Sequence, residues 1–329
     1  GRVIGRGGGE ENAARYRANR LVAYHARNGK LQWMRSASEP DAEVPKRACF
    51  AGSPVPYAGL VLVPVLEDRG MYLVAIEPEG GATLWRTFLG DEPGATAAHS
   101  AIVVSVDGGE AYVATGAGLV FSVDAISGAM NWAVRYPRTA RNDSQSQQQI
   151  RRFGGFMPRG YQFLARFDGW TEEMVIPSAN AVVVTPVDFN YVMAFDRRSG
   201  ELLWESPRKP SEGGFAADYA LGVHDGKFYA AGNDVVRCYR VSGGRMLWEK
   251  TFEPGFGRGA LTPDGIYVPS GADKVLKIGL DEGEVEGSFK VAIEGDQPVG
   301  NLYSDGSRLF GLGLRRVYSI AQLDPEEAQ

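Results

Sequence analysis

The chain has 329 residues, a formal charge of −5 and 43 glycines, with 44% hydrophobic and 23% charged residues, a globular composition rich in turns. That charge gives no whole-molecule attraction for nucleic acid or anionic lipid, and no apolar run reaches the roughly 18 residues of a membrane helix, the best being residues 59–66. Two distant cysteines, Cys49 and Cys238, have no CxxC spacing and exclude a disulfide scaffold or a zinc ribbon.

In chain order, the opening GRVIGRGGGEE is glycine-rich but precedes no helix that could present phosphate-binding amides, so it reads as a strand followed by a loop. Then comes a repeat. The segments AYHARNGKLQW (23–33), AIEPEGGATLW (75–85), SVDAISGAMNW (122–132), AFDRRSGELLW (194–204) and CYRVSGGRMLW (238–248) align without gaps. Five of the six tryptophans, Trp33, Trp85, Trp132, Trp204 and Trp248, each stand four residues after a glycine: Gly29, Gly81, Gly128, Gly200 and Gly244. A weaker sixth copy, KIGLDEGEVEG (277–287), has Gly283 in the turn and glycine in the tryptophan place.

Each copy reads as a hairpin, a strand running into a polar turn whose glycine accepts positive φ. By simple alternation, positions two and four after the glycine share one face, pairing Leu31 with Trp33, Thr83 with Trp85, Met130 with Trp132, Leu202 with Trp204 and Met246 with Trp248. Asp107-Gly108, Asp225-Gly226, Asp264-Gly265 and Asp305-Gly306 mark further hairpins. Each unit is therefore a four-stranded antiparallel meander, and tryptophan places 52, 47, 72, 44 and 39 residues apart match propeller blades. No stretch holds a 3.6-residue apolar period for three turns, which excludes a helical solenoid.

The strand count predicts three strands in residues 1–36, five full blades to about residue 290 and three more strands in residues 299–323. That is two short of a seven-bladed ring, so the chain reads as one propeller domain over residues 1–329 whose ring an upstream segment completes. An eight-bladed ring is the rival count. The long interval holds an insertion over residues 135–166, with seven arginines against the single acid Asp143, a balance of +6.

The motif of apolar residue, Asp-like residue, three residues, Gly, three residues, Trp, best seen in residues 194–204, resembles the PQQ-like β-propeller repeat family over residues 20–323. The resemblance implies an all-β propeller in which the tryptophan of one blade docks against the next. The family includes quinoprotein dehydrogenases holding pyrroloquinoline quinone and calcium, a periplasmic accessory lipoprotein of outer-membrane β-barrel assembly, and sensor domains. The adjacent cysteines usual in the alcohol dehydrogenases are missing here. The reading is thus a non-catalytic scaffold of the bacterial cell envelope with a protein partner and no cofactor, periplasmic or anchored through an upstream segment. A quinoprotein-like oxidoreductase using pyrroloquinoline quinone and calcium, or a small-ligand sensor, is the alternative.

The repeat tryptophans read as structural, while Trp170, in RFDGWTEE, reads equally as a loop anchor or an exposed contact. The histidines His25, His99 and His224 fall in different repeats and suggest no metal site. Two surfaces are candidates for a partner. Arginines with interleaved aromatics in the insertion, chiefly Arg151, Arg152 and Arg159, suit an acidic partner, against the alternative of a solvated loop. Counting back from the Asp-Gly marks places His99, Ser100, Asp218, Arg258 and Asn301 at the starts of the inner strands, around a central funnel.

Overall fold

Residues 19–37, 48–67, 70–91, 102–139, 169–210, 214–291, 298–306, 308–313 and 317–320 are described by the computed structural model. Among them the chain is built of strands alone. A ribbon of β1 (Arg20–Tyr24) and β2 (Leu31–Ser36) comes first. A sheet follows of β3 (Ala48–Phe50), β4 (Val55–Tyr57), β5 (Leu60–Glu67), β6 (Gly70–Ile76) and β7 (Thr83–Asp91). Four sheets of four strands come next. They are β8 (Val103–Asp107) to β11 (Met130–Arg135) through β9 (Glu110–Ala114) and β10 (Leu119–Asp124), then β12 (Met174–Pro177), β13 (Ala181–Thr185), β14 (Tyr191–Asp196) and β15 (Leu202–Pro207). The next is β16 (Tyr219–His224), β17 (Lys227–Ala231), β18 (Val235–Arg240) and β19 (Met246–Thr251), followed by β20 (Ala260–Thr262), β21 (Gly265–Ser270), β22 (Lys274–Ile278) and β23 (Val285–Lys290). The last described sheet is β24 (Asn301–Ser304), β25 (Leu309–Leu312) and β26 (Val317–Ile320).

Every full sheet is an antiparallel meander whose first strand neighbours the first strand of the next sheet, β8 beside β12, β12 beside β16, β16 beside β20 and β20 beside β24. Sheets stacked in chain order on their first strands are the blades of a β-propeller. The sequence of each strand follows from its place. Second strands are covered on both faces by neighbouring blades and read as continuous apolar runs, such as AVVVT in β13, buried at every position. Fourth strands lie at the rim and bury one side chain in several, as in MNWAVR of β11. The core is accordingly made between blades. Leu62 and Leu73 cluster with Phe121 and Val123, Tyr112 and Val120 with Val182 and Phe195, Val183 with Phe228, and Tyr229 with Ile266.

The hairpin between third and fourth strands is the repeating device. Gly29, Gly81, Gly128, Gly200, Gly244 and Gly283 have φ of 67–76°, and the amide of Gly200 donates back to the carbonyl of Asp196 at 2.9 Å. Asp124 and Asp196 accept the amides two and three residues on, and those hydrogen bonds hold both carboxyls below the usual range. The glycine also makes room for the preceding blade. A Cβ on Gly81, Gly128, Gly200, Gly244 or Gly283 would stand 2.5–2.9 Å from the indole of Trp33, Trp85, Trp132, Trp204 or Trp248. The indole Nε1 of Trp33, Trp132, Trp204 and Trp248 donates to the carbonyl three residues before that glycine, at 2.6–3.3 Å. Trp85 fits the same cleft with its Nε1 buried and without an acceptor.

Simple alternation fails in these hairpins. Ala23 pairs with Trp33 but Tyr24 pairs with Leu31, so Gln32 is an extra residue, and the same shift recurs in the next five sheets. One inserted residue turns positions two and four to opposite faces. Trp132 and Trp204 are therefore buried, at 8% and 9% exposure, while Met130 and Leu202 are exposed at 43% and 51%.

The described part of residues 1–36 holds two of the three strands expected there, and the glycine-rich opening lies outside the described residues. Two smaller expectations are corrected. The inner strand of the first full blade is divided into β3 and β4, which both pair with β5. At Asp264-Gly265 the turn is Pro263-Asp264, with Gly265 already in β21. In the sixth copy Gly287 faces open space, and its neighbour across the strands is Lys277, where other blades carry Ala, Ser or Cys beside tryptophan.

Candidate functional site

A four-stranded meander puts its one-to-two and three-to-four turns at one end and its two-to-three loop and outgoing linker at the other. The first end, the turn face, carries the repeated hairpins. The second, the linker face, carries connections of unequal length, of which residues 136–173 are the longest.

Both stems of that long connection grip the loop between β13 and β14. On the first stem, the Tyr136 hydroxyl donates to Asp188 Oδ1 at 2.8 Å, Arg138 Nε donates to Asp188 Oδ2 at 2.6 Å, and the Thr139 amide donates to the Asp188 carbonyl at 2.8 Å. On the second stem, the Trp170 amide donates to the Pro186 carbonyl and its Nε1 to the Tyr191 carbonyl, both at 3.0 Å. Trp170 is 2% exposed, so it is a loop anchor. Glu173 Oε2 accepts the Val187 amide at 2.8 Å, and its Oε1 is buried without a partner.

The second stem then reaches the inner strands of the next two blades. The amide and hydroxyl of Thr171 both donate to the Asp218 carbonyl, at 2.8 and 2.7 Å. Glu172 forms an ion pair with Arg258, whose Nη2 donates to the Ala220 carbonyl at 2.6 Å and whose guanidinium lies 5.0 Å from the Tyr219 ring centroid. The Arg258 amide donates to Asn301 Oδ1 at 2.9 Å, and Asp218 pairs with Arg208 at 2.7 Å. Burial raises the Asp218 carboxyl, against the pull of Arg208. Arg237, 1% exposed, holds this linker in place: Nη1 donates to the Arg208 carbonyl, Nη2 to the Phe215 carbonyl and Nε to Glu249, at 2.6–2.7 Å.

Of the residues expected around the funnel, Asn301 starts β24, Asp218 immediately precedes β16, and Arg258 stands two residues before β20. The second stem thus meets both Asp218 and Arg258. His99, Ser100, Arg151, Arg152 and Arg159 lie outside the described residues. Glu172, Glu173, Asp188, Arg208 and Arg237 were not singled out from the sequence, and the segment around Trp170 was the only hint of the first two.

The described residues bring together no His, Cys, Asp and Glu set that would hold a divalent cation beside pyrroloquinoline quinone. The repeat tryptophans that could stack on a quinone are pressed against glycines of the next blade. The thiols of Cys49 and Cys238 stand in different sheets, and burial pushes Cys238 up to about 11.

The sequence matches the family described as outer membrane protein assembly factor BamB over residues 69–153 and 188–311. No curated protein matches it in sequence. Among solved structures, a europium-containing methanol dehydrogenase aligns at 13% identity and a TM-score of 0.54, covering 89% of this chain and 69% of that one. A quinohemoprotein alcohol dehydrogenase from Comamonas testosteroni aligns at 12% identity and 0.53, covering 89% and 61%. BamB from Moraxella catarrhalis aligns at 16% identity, covering 90% of this chain and 88% of that one, but its TM-score of 0.45 adds nothing to the argument. At these identities the likeness speaks for the fold alone.

Proposed function

The chain belongs to the family of outer membrane protein assembly factor BamB, and on that premise we propose that it is a non-catalytic recognition module of the cell envelope that binds a protein partner on its linker face. In this reading residues 1–329 are one propeller domain, located outside the cytoplasm, and the basic insertion and the funnel residues form one contact surface. The observation that carries it is the second stem. Thr171 and Glu172 tie the root of the insertion to Asp218 and Arg258, so a partner seated on one meets the other. Loops held on a rigid ring are the usual place for recognition. No helix among the described residues is long and apolar enough to cross a membrane.

The test compares three proteins in pull-downs from envelope extract: the wild type, Arg151→Ala/Arg152→Ala/Arg159→Ala, and Asp218→Ala/Arg258→Ala. Loss of the same partner from both variants, with retention weakening as salt rises above about 0.15 M, supports the reading. Identical partners from all three refute it. Tight binding of pyrroloquinoline quinone with redox activity refutes it as well and returns the oxidoreductase alternative.

A further inference from the structure

The base of the insertion holds two carboxyls that the recognition surface does not use. Asp188 is fully buried and satisfied, with the Tyr136 hydroxyl on one oxygen and Arg138 on the other. Glu173, 6% exposed, has one backbone amide on Oε2 and nothing on Oε1. The charged and titratable groups facing it are Asp188 from the β13–β14 loop and Tyr136 from the first stem; from the β9–β10 loop it meets the Gly116 amide. Its neighbour Glu172 is committed to Arg258. Arg138, the cation of the first stem, is paired with Asp188, and Glu173 has no ion pair among the described residues. A buried ionised carboxylate without its own cation is far costlier than a neutral one.

We propose that Glu173 and Asp188 form a proton-holding latch, which clamps both stems of the insertion to the β13–β14 loop while Glu173 is neutral and loosens them when it ionises. Burial, then the nearby Asp188 charge, pushes Glu173 up to about 8, and burial raises Asp188 too. The sign follows. Between the ordinary 4.5 of a glutamate and about 8, the folded chain holds a proton that the unfolded chain has released, so stability falls as pH rises through that window and levels above it. The latch is therefore closed in acid and neutral surroundings and open in alkaline ones. It does not depend on which partner the linker face binds.

Hydrogen exchange tests it on the whole chain between about pH 6 and pH 9, after correction for intrinsic rates. In the wild type the amides of Thr139, Trp170 and Val187 should lose protection by about tenfold or more across that range, while the Gly200 amide on the turn face keeps its own. Glu173→Gln, neutral at every pH and nearly isosteric, should abolish the change. Asp188→Asn, which removes the negative charge beside Glu173, should move the midpoint down by about one pH unit or more. Unchanged protection of the three amides in the wild type overturns the latch. So does an identical loss in Glu173→Gln, and, if that variant does not fold, an unmoved midpoint in Asp188→Asn.

Discussion

The turn face and the linker face of this propeller are built on opposite terms. On the turn face five successive blades repeat one solution: a glycine hairpin, a one-residue bulge, and an indole from the preceding blade lying over the glycine. Ion pairs cross there from blade to blade, Arg197 to Asp107 and Glu110, Lys227 to Asp281. On the linker face a backbone bond recurs, from the amides of Tyr136, Arg208, Phe252 and Val291 to the carbonyls of Gly118, Asn190, Asp234 and Asp273, but the side-chain contacts are individual. Among the described residues, buried Arg237, the Arg138–Asp188 pair and the Glu172–Arg258 bridge each occur at one place and join separate linkers and loops. Repetition serves cohesion, since each interface must bury the same rim. Individual linkers are free to carry recognition.

The largest expected break in that contrast is Trp204→Ala. Removing the indole over Gly244 opens a cavity between two blades and should cost about 3–5 kcal/mol in denaturant unfolding. A loss below about 1 kcal/mol would contradict interblade docking by the tryptophans. A smaller effect separates two tryptophans within the turn face. Trp132→Phe removes a donor to the Arg197 carbonyl and leaves that acceptor unpaired, whereas Trp85 has no acceptor to lose. Trp132→Phe should therefore cost about 1 kcal/mol more than Trp85→Phe by thermal or chemical unfolding. Equal costs would show that the indole hydrogen bond contributes nothing to the repeat. The smallest change belongs to the linker face. Arg258→Ala removes a partly exposed ion pair and should cost about 1 kcal/mol or less in the same assay, while weakening partner capture. If it unfolds the chain like Trp204→Ala, the linker face is also cohesive and the division fails.

The repeat was legible because its two marks are sterically exacting. Only glycine accepts both the positive φ of the hairpin and an indole within 3 Å of its missing Cβ, so glycine and tryptophan keep fixed spacing at Gly200 and Trp204 as at Gly81 and Trp85. The bulge was not legible. Leu202 and Trp204 are two residues apart, which implies one face unless the partner strand skips a residue, and only the pairing of Ala194 with Trp204 beside Phe195 with Leu202 reveals the skip. The Asp264 turn shifted for a related reason, because the order Pro-Asp-Gly allows the turn to begin one residue earlier.

Asp218, Arg258 and Asn301 were found at the inner strands by counting, since local landmarks propagate along a meander of regular strand length. Their partners could not be counted. The amino-acid sequence by itself determined the antiparallel blades, the hairpin glycines and the tryptophan rim, all of which follow from hairpins between consecutive strands or from a regular repeat. Tertiary structure alone decided that Glu172 meets Arg258 across 86 residues, that Glu173 lies beside Asp188, and that a fully buried Arg237 holds the Arg208 linker. Burial and charge partners at a blade junction depend on how separate linkers fold back over the inner strands, and no local spacing encodes that meeting.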